Sequence, residues 1–111
     1  MKKINIGSDF SEFPVGRFRS DGPDSGQRFR EDFLEPALSS GQSVIIEMSG
    51  TDGYGSSFLD EAFGGIIRLM KLSQVEADRL FKFEADPEDQ SFIEEVKGYI
   101  KNACADVARS K

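Results

Sequence analysis

The sequence predicts an α/β fold, a small mixed sheet packed by helices in the order β-β-α-β-α-β-α. Three observations carry this prediction. Val44-Ile45-Ile46 is an unbroken β-branched run that stops at a glycine-rich loop. Three segments around it repeat their apolar residues at helical spacing, and short alternating stretches lie between them.

Taking the elements in order, Lys3 to Gly7 reads as an opening strand with Ile4 and Ile6 on one face. Val15 to Arg19 alternates in the same way, so the two are expected to pair across the loop carrying Pro14. The turn-forming run Ser20 to Gly26 follows, and Asp24 with Gln27 resembles a capping box that opens a first helix ending near Leu38. Phe29, Phe33, Leu34 and Leu38 form its apolar face, and Pro36 predicts a kink or restart, because proline removes a donor and crowds the preceding turn. Residues 43–48 form the central strand, and the lack of polar alternation predicts cover on both faces.

Beyond the loop, Phe58, Leu59, Ala62, Phe63, Ile66, Ile67 and Met70 mark a second helix to about Leu72. Gly64-Gly65 costs that helix roughly 1 kcal/mol per residue against alanine. Such a pair predicts close approach of another backbone, here tight helix-to-sheet packing. Ser73-Gln74-Val75-Glu76 has the form of a new helical turn, and Leu80 to Ala85 alternates as a strand. Asp86 caps and Pro87 opens a final helix lined by Phe92, Ile93, Val96, Ile100, Ala103, Cys104 and Val107. Strands alternating with helices need crossovers, so the later strands should run parallel, in one domain over residues 1–111.

Composition narrows the function. A formal charge of −6 and a pI near 4.6 argue against nucleic acid and anionic membranes as partners, since both require a concentrated positive surface. Glu84, Asp86, Glu88, Asp89, Glu94 and Glu95 crowd the last third, the pattern of a solvated helix face. The one cysteine, Cys104, cannot form an internal disulfide, and it reads as a small apolar packing residue in a reducing cytoplasm. No stretch has the length of a membrane helix, and the start Met1-Lys2-Lys3-Ile4-Asn5-Ile6 lacks the apolar core of a signal peptide, so a cytoplasmic location is expected. The chain has no histidine, which removes Ser-His and Cys-His nucleophile pairs and histidine-ligated metals. A carboxylate such as Asp52 or Asp60 lacks an aligned second group, so no enzyme activity, cofactor or metal is expected.

The chemistry concentrates in Gly50-Thr51-Asp52-Gly53-Tyr54-Gly55-Ser56-Ser57. A glycine-rich loop entering a helix presents free backbone N–H groups, a place to hold or receive a phosphate. The spacing is that of a phosphate-binding P-loop except that Ser56 stands where the lysine belongs, and Arg68 lies about three turns further on. A nucleophile elbow fails too, because Ser57 is followed by Phe58 and Leu59. The plain structural reading makes Ser57 and Asp60 a capping pair. Arg17, Arg19, Arg28 and Arg30 also have two readings: forks converging with the loop on an anion, or partners of Asp21, Asp24, Glu31 and Asp32.

Gly16-Arg17, the run Asp21-Gly22-Pro23-Asp24-Ser25-Gly26-Gln27-Arg28-Phe29-Arg30 and the run Tyr54 to Gly65 resemble the STAS-like domain family of unknown function. That family is similar to the STAS domains of anti-sigma-factor antagonists, and the resemblance implies the same element order. It also implies a serine phosphorylated by a partner kinase in a D-S-S-G loop, the phosphate controlling release of that partner. The matching position is Ser57, with Gly55 in the place of the aspartate and Phe58 in that of the glycine.

Two functions are therefore expected as alternatives. The first is a non-enzymatic regulatory module whose surface at Tyr54, Gly55, Ser56, Ser57 and Phe58 docks a protein, a histidine-kinase-like ATPase by the resemblance, with modification of Ser57 or Ser56 switching the contact. The second is a small-anion or nucleotide sensor using the N–H groups of Gly55 to Phe58 with an arginine such as Arg17 or Arg28.

Overall fold

The computed structural model describes residues 2–110. Three short strands, β1 (Lys2–Asn5), β2 (Val44–Glu47) and β3 (Phe81–Glu84), form a sheet in the order β1-β2-β3, parallel throughout. Helix α1 (residues 26–38) crosses from β1 to β2; α2 (residues 56–70) and α3 (Gln74–Leu80) cross from β2 to β3; α4 (Gln90–Arg109) closes the chain. Successive crossovers of the usual hand stack their helices on one face of a sheet. The burial of the strands agrees, since Ile4, Val44, Ile46 and Phe81 are buried while Lys3 and Lys82 are exposed.

The α/β class, the central place of β2 and the apolar line of α4 are as the sequence predicts. The expected strand at Val15 to Arg19 does not form, so no antiparallel strand makes the sheet mixed. Its backbone is spent on the start of α1 instead: the N–H of Val15 donates to the Asp24 carbonyl, and the N–H groups of Gly26 and Gln27 donate to the carbonyls of Gly16 and Arg17. A segment so tied to a helix entrance has few groups left for a ladder. The cover predicted on both faces of β2 is also corrected. Ile45 lies on the outer face between Lys3 and Lys82 in the pairing register and is only half-buried.

An aromatic cluster, fully buried at Phe29, Phe58 and Phe63 and half-buried at Phe10, joins α1 and α2. Phe29 of α1 packs 5.8 Å from Phe58 and 5.9 Å from Phe63 of α2, ring centre to ring centre, and Phe10 closes on Phe29 at 5.1 Å. The helices meet backbone to backbone at Gly26, where a Cβ would lie 2.5 Å from the Phe58 carbonyl oxygen. Ser25, not Asp24, caps α1, its buried hydroxyl accepting from the N–H of Arg28 at 3.2 Å. Pro36 does not break α1. The preceding turn, Arg30–Leu34, widens to the π form, with the Glu35 N–H reaching back five residues to the Arg30 carbonyl, and the widened turn brings the chain to Pro36 still helical. Ser73 and Glu76 make the reciprocal cap expected of α3, at 3.1 and 3.0 Å.

Candidate functional site

The glycine-rich loop leaves β2 through two positive-φ glycines, Gly50 at +88° and Gly53 at +130°, a conformation costly for a residue with a Cβ. It is then pinned from both sides. The Tyr54 hydroxyl donates to the Met48 carbonyl at 2.8 Å, and burial pushes that phenol well above its usual pKa. Opposite, the Asp52 N–H donates to the Glu12 carbonyl at 2.9 Å and the Gly55 N–H to that of Pro14 at 3.1 Å. Residues 12–15 thus run beside 52–55, closely enough that a Cβ on Gly55 would sit 3.2 Å from Val15 Cγ2 and 3.4 Å from its Cα.

Together these segments make a rim with an open hollow of about 380 Å³ lined by Phe13, Val15, Asp52, Gly53 and Tyr54 among others. Phe13 is 57% exposed and Val15 60%, side by side in sequence around the buried Pro14. Both side chains stand in water beside the pinned loop. This half of the rim is not visible in the sequence, because the alternation from Val15 to Arg19 reads as a strand.

Ser56 and Ser57 open α2. Ser56 is exposed and Ser57 half-buried, and neither hydroxyl has a hydrogen-bond partner among the described residues. The capping pair of Ser57 with Asp60 does not form. Gly55 is the N-cap and offers no side chain, while the Asp60 carboxylate is taken by Arg17 at 2.8 Å and Arg68 at 3.2 Å. Burial opposes ionisation of Asp60, but hydrogen bonds from those two guanidiniums outweigh it and hold the carboxyl below its usual range. Phe58 faces inward, fully buried, so it anchors the loop from beneath and takes no part in the outer surface.

The arginines do not converge on the loop. Arg17 pairs with Asp60 and, at 3.6 Å, with Glu61; Arg19 pairs with Glu31 and Asp32, both at 3.0 Å. Arg28 donates to the Pro23 carbonyl at 2.9 Å, lies near Asp24 and Asp32, and sits over the Phe10 ring at 4.8 Å. Arg30 pairs with Glu61 and with Glu35, the latter at 3.2 Å. Among the described residues Arg17, Arg19, Arg28 and Arg30 are all engaged with carboxylates, so the arginine half of the sensor reading is not met and that alternative is not favoured.

This network also explains Gly64-Gly65. A Cβ at Gly64 would lie 2.9 Å from Asp60 Oδ1 and 3.2 Å from an Arg68 nitrogen; at Gly65 it would lie 2.9 Å from an Arg30 nitrogen. The pair makes room for ion-paired arginines, not for the sheet. Arg30 and Glu61, with side chains 15% and 16% exposed, sit in the two π-type turns Arg30–Leu34 and Asp60–Gly64 and tie them together. The two sequence blocks, Ser25 to Arg30 and Tyr54 to Gly65, are therefore one constellation: a capped helix, a glycine contact, an aromatic stack and a guanidinium–carboxylate lock.

No helix among the described residues is long and apolar enough to cross a membrane. Comparison with curated proteins and with solved structures finds no match. A family model described as a STAS-like domain of unknown function matches residues 25–84, which run from the cap of α1 through β3 and contain the whole constellation. With more than half of its length matched, from Ser25 to Glu84, the chain belongs to the STAS-like domain family of unknown function.

Proposed function

We propose that this domain is a non-enzymatic regulatory module that docks a protein partner through the rim formed by residues 12–15 and 52–57, with Ser57 or Ser56 as the switch. One observation carries the reading: two exposed apolar side chains, Phe13 and Val15, stand beside an uncapped helix mouth whose serine hydroxyls are unengaged. A phosphate on Ser57 would add about −1.5 to −2 charge next to those apolar groups and alter the contact. Asp60 and Glu61 do not forbid it, since Arg17, Arg68 and Arg30 already balance their charge. The first backbone N–H groups of α2 favour a phosphate there. The partner fitting the family's similarity to antagonist domains is a histidine-kinase-like ATPase, and the setting is the cytoplasm.

The test incubates the full chain with ATP and the ATPase encoded nearest its gene, maps phosphate by mass spectrometry, and compares binding of the native chain, Ser57→Asp and Phe13→Ser. The reading expects phosphate on Ser57 or Ser56 and weakened binding in both variants. Unmodified serines together with unchanged binding in both variants overturn it.

A further inference from the structure

A second surface lies elsewhere and shares no residue with the rim. Between α3, β3 and α4 runs an open cleft of about 700 Å³. Phe81, Lys82 and Phe83 all line it. Side chains of consecutive strand residues point to opposite faces, so a cleft touching three in a row lies along the strand's edge and not over either face. β3 pairs with β2 alone, and its outer side has no strand partner among the described residues. The four residues span roughly 13 Å; the Phe81 N–H is already given to the Ala77 carbonyl, so the edge open to a new neighbour begins at the Phe81 carbonyl and runs on through Phe83.

The charge around that edge is opposite to that of the molecule. Lys82, Lys97 and Lys101 border the cleft, against a single carboxylate, Asp78. Asp78 accepts from the Gln74 amide at 2.9 Å, while Lys82 donates to the Asp78 carbonyl at 3.2 Å and not to its carboxylate. Lys97 and Lys101 have no ion-pair partner among the described residues. The floor is apolar where Phe81 and Ile100 are buried. In a chain of net charge −6, three lysines lining one apolar edge are a local exception.

The geometry points to β-strand addition: an extended acidic peptide segment of a partner protein, with apolar residues alternating with glutamate or aspartate, adds to the sheet as a fourth strand along β3. Main-chain hydrogen bonds supply affinity, one row of side chains settles on Phe81 and Ile100, and the acidic row meets the lysines. Ammonium groups on long stems suit such scattered carboxylates, whereas a compact phosphate is better held by a rigid fork.

The probe is a fluorescein-labelled peptide of alternating glutamate and valine, titrated against the full chain by anisotropy, with amide shifts followed by NMR. The expected result is saturable binding with shifts at residues 81–83 and 97–101. Binding should become about tenfold weaker in the exposed double variant Lys97→Glu/Lys101→Glu and weaken with added salt. A peptide N-methylated at alternate residues, which cannot pair with a strand, should lose the binding without any change to the protein. Equal binding of the N-methylated peptide, tighter binding of a simple fatty carboxylate, or no shift in β3 at millimolar peptide each overturns the proposal. The rim is not involved, so Phe13→Ser should leave this titration unchanged whatever the fate of the regulatory reading.

Discussion

Replacing Gly26 and Gly98 by alanine, one at a time, asks whether the helix contact beneath the loop is as close as described. The two substitutions are chemically identical and both fall in helices. At Gly26 the added methyl would lie 2.5 Å from the Phe58 carbonyl oxygen, 3.0 Å from Glu61 Cβ and 3.1 Å from the Ala62 nitrogen. Two of those atoms are backbone, so rotating a side chain does not relieve them. To reach ordinary contact, α1 and α2 must separate by roughly 1 Å, loosening the stack of Phe29, Phe58 and Phe63 and forfeiting a quarter to a half of each affected dispersion well. Overpacking of this kind costs about 1–3 kcal/mol, and a first-turn position recovers only part of the ~1 kcal/mol that alanine gains over glycine in a helix interior. A net loss near 2 kcal/mol is expected. At Gly98 nothing lies within 4 Å, so α4 should simply gain up to about 1 kcal/mol. In urea titrations with unchanged slope, Gly26→Ala should lower the midpoint by about 1 M and Gly98→Ala should raise it slightly. Midpoints that move in the same direction, or a Gly26→Ala protein as stable as the parent, would refute the packing argument.

The folded-state pKa of Asp60 is depressed, so its stabilisation is complete above the unfolded carboxyl value near 4 and disappears as pH falls through the lower folded value. Asp60→Asn should therefore be less stable than the parent at neutral pH and equal to it in strong acid, as read from denaturant midpoints across the acid range. Tyr54→Phe removes the donor to the Met48 carbonyl and should cost about 1 kcal/mol, while the native Tyr54 phenolate should be absent from alkaline absorbance titrations until the protein unfolds. Burial pushes the Cys104 thiol up, so Ellman's reagent should react far more slowly with the folded chain than with the chain in urea, and equal rates would place that sulfur at the surface.

Much of the fold is legible where one signal runs long enough to be unambiguous. The twenty residues of α4 keep their apolar period throughout, and the reciprocal Ser73 and Glu76 cap is written in four letters. The segment Val15 to Arg19 misleads because alternation over five residues says nothing of where its hydrogen bonds go, and here they go to the start of α1. The run at Ile45 looks doubly buried because hydropathy does not reveal which helices cross on which side. Gly64-Gly65 correctly signals that something must come close, but glycine cannot tell a strand from the arginine side chains that fill the space. At the site, the serine-bearing helix mouth is readable from the loop chemistry. Phe58 begins the apolar stripe continued by Ala62 and Ile66, so its period places it in the core and not on a docking surface. Arg19 and Arg28 take the plainer of their two readings, pairing with Glu31, Asp32 and Asp24, whereas Arg17 and Arg30 meet Asp60 and Glu61 of α2, two carboxylates far away in sequence that no local spacing indicates.

The regulatory reading stands or falls on whether the rim touches a protein under control of its serine. A photo-crosslinking amino acid placed at position 13, with position 98 as the control, measures this directly in the producing cell. The account predicts an adduct with an ATPase from position 13 that disappears in Ser57→Glu, and none from position 98. The same adducts from both positions, indifferent to the charge at Ser57, would contradict it.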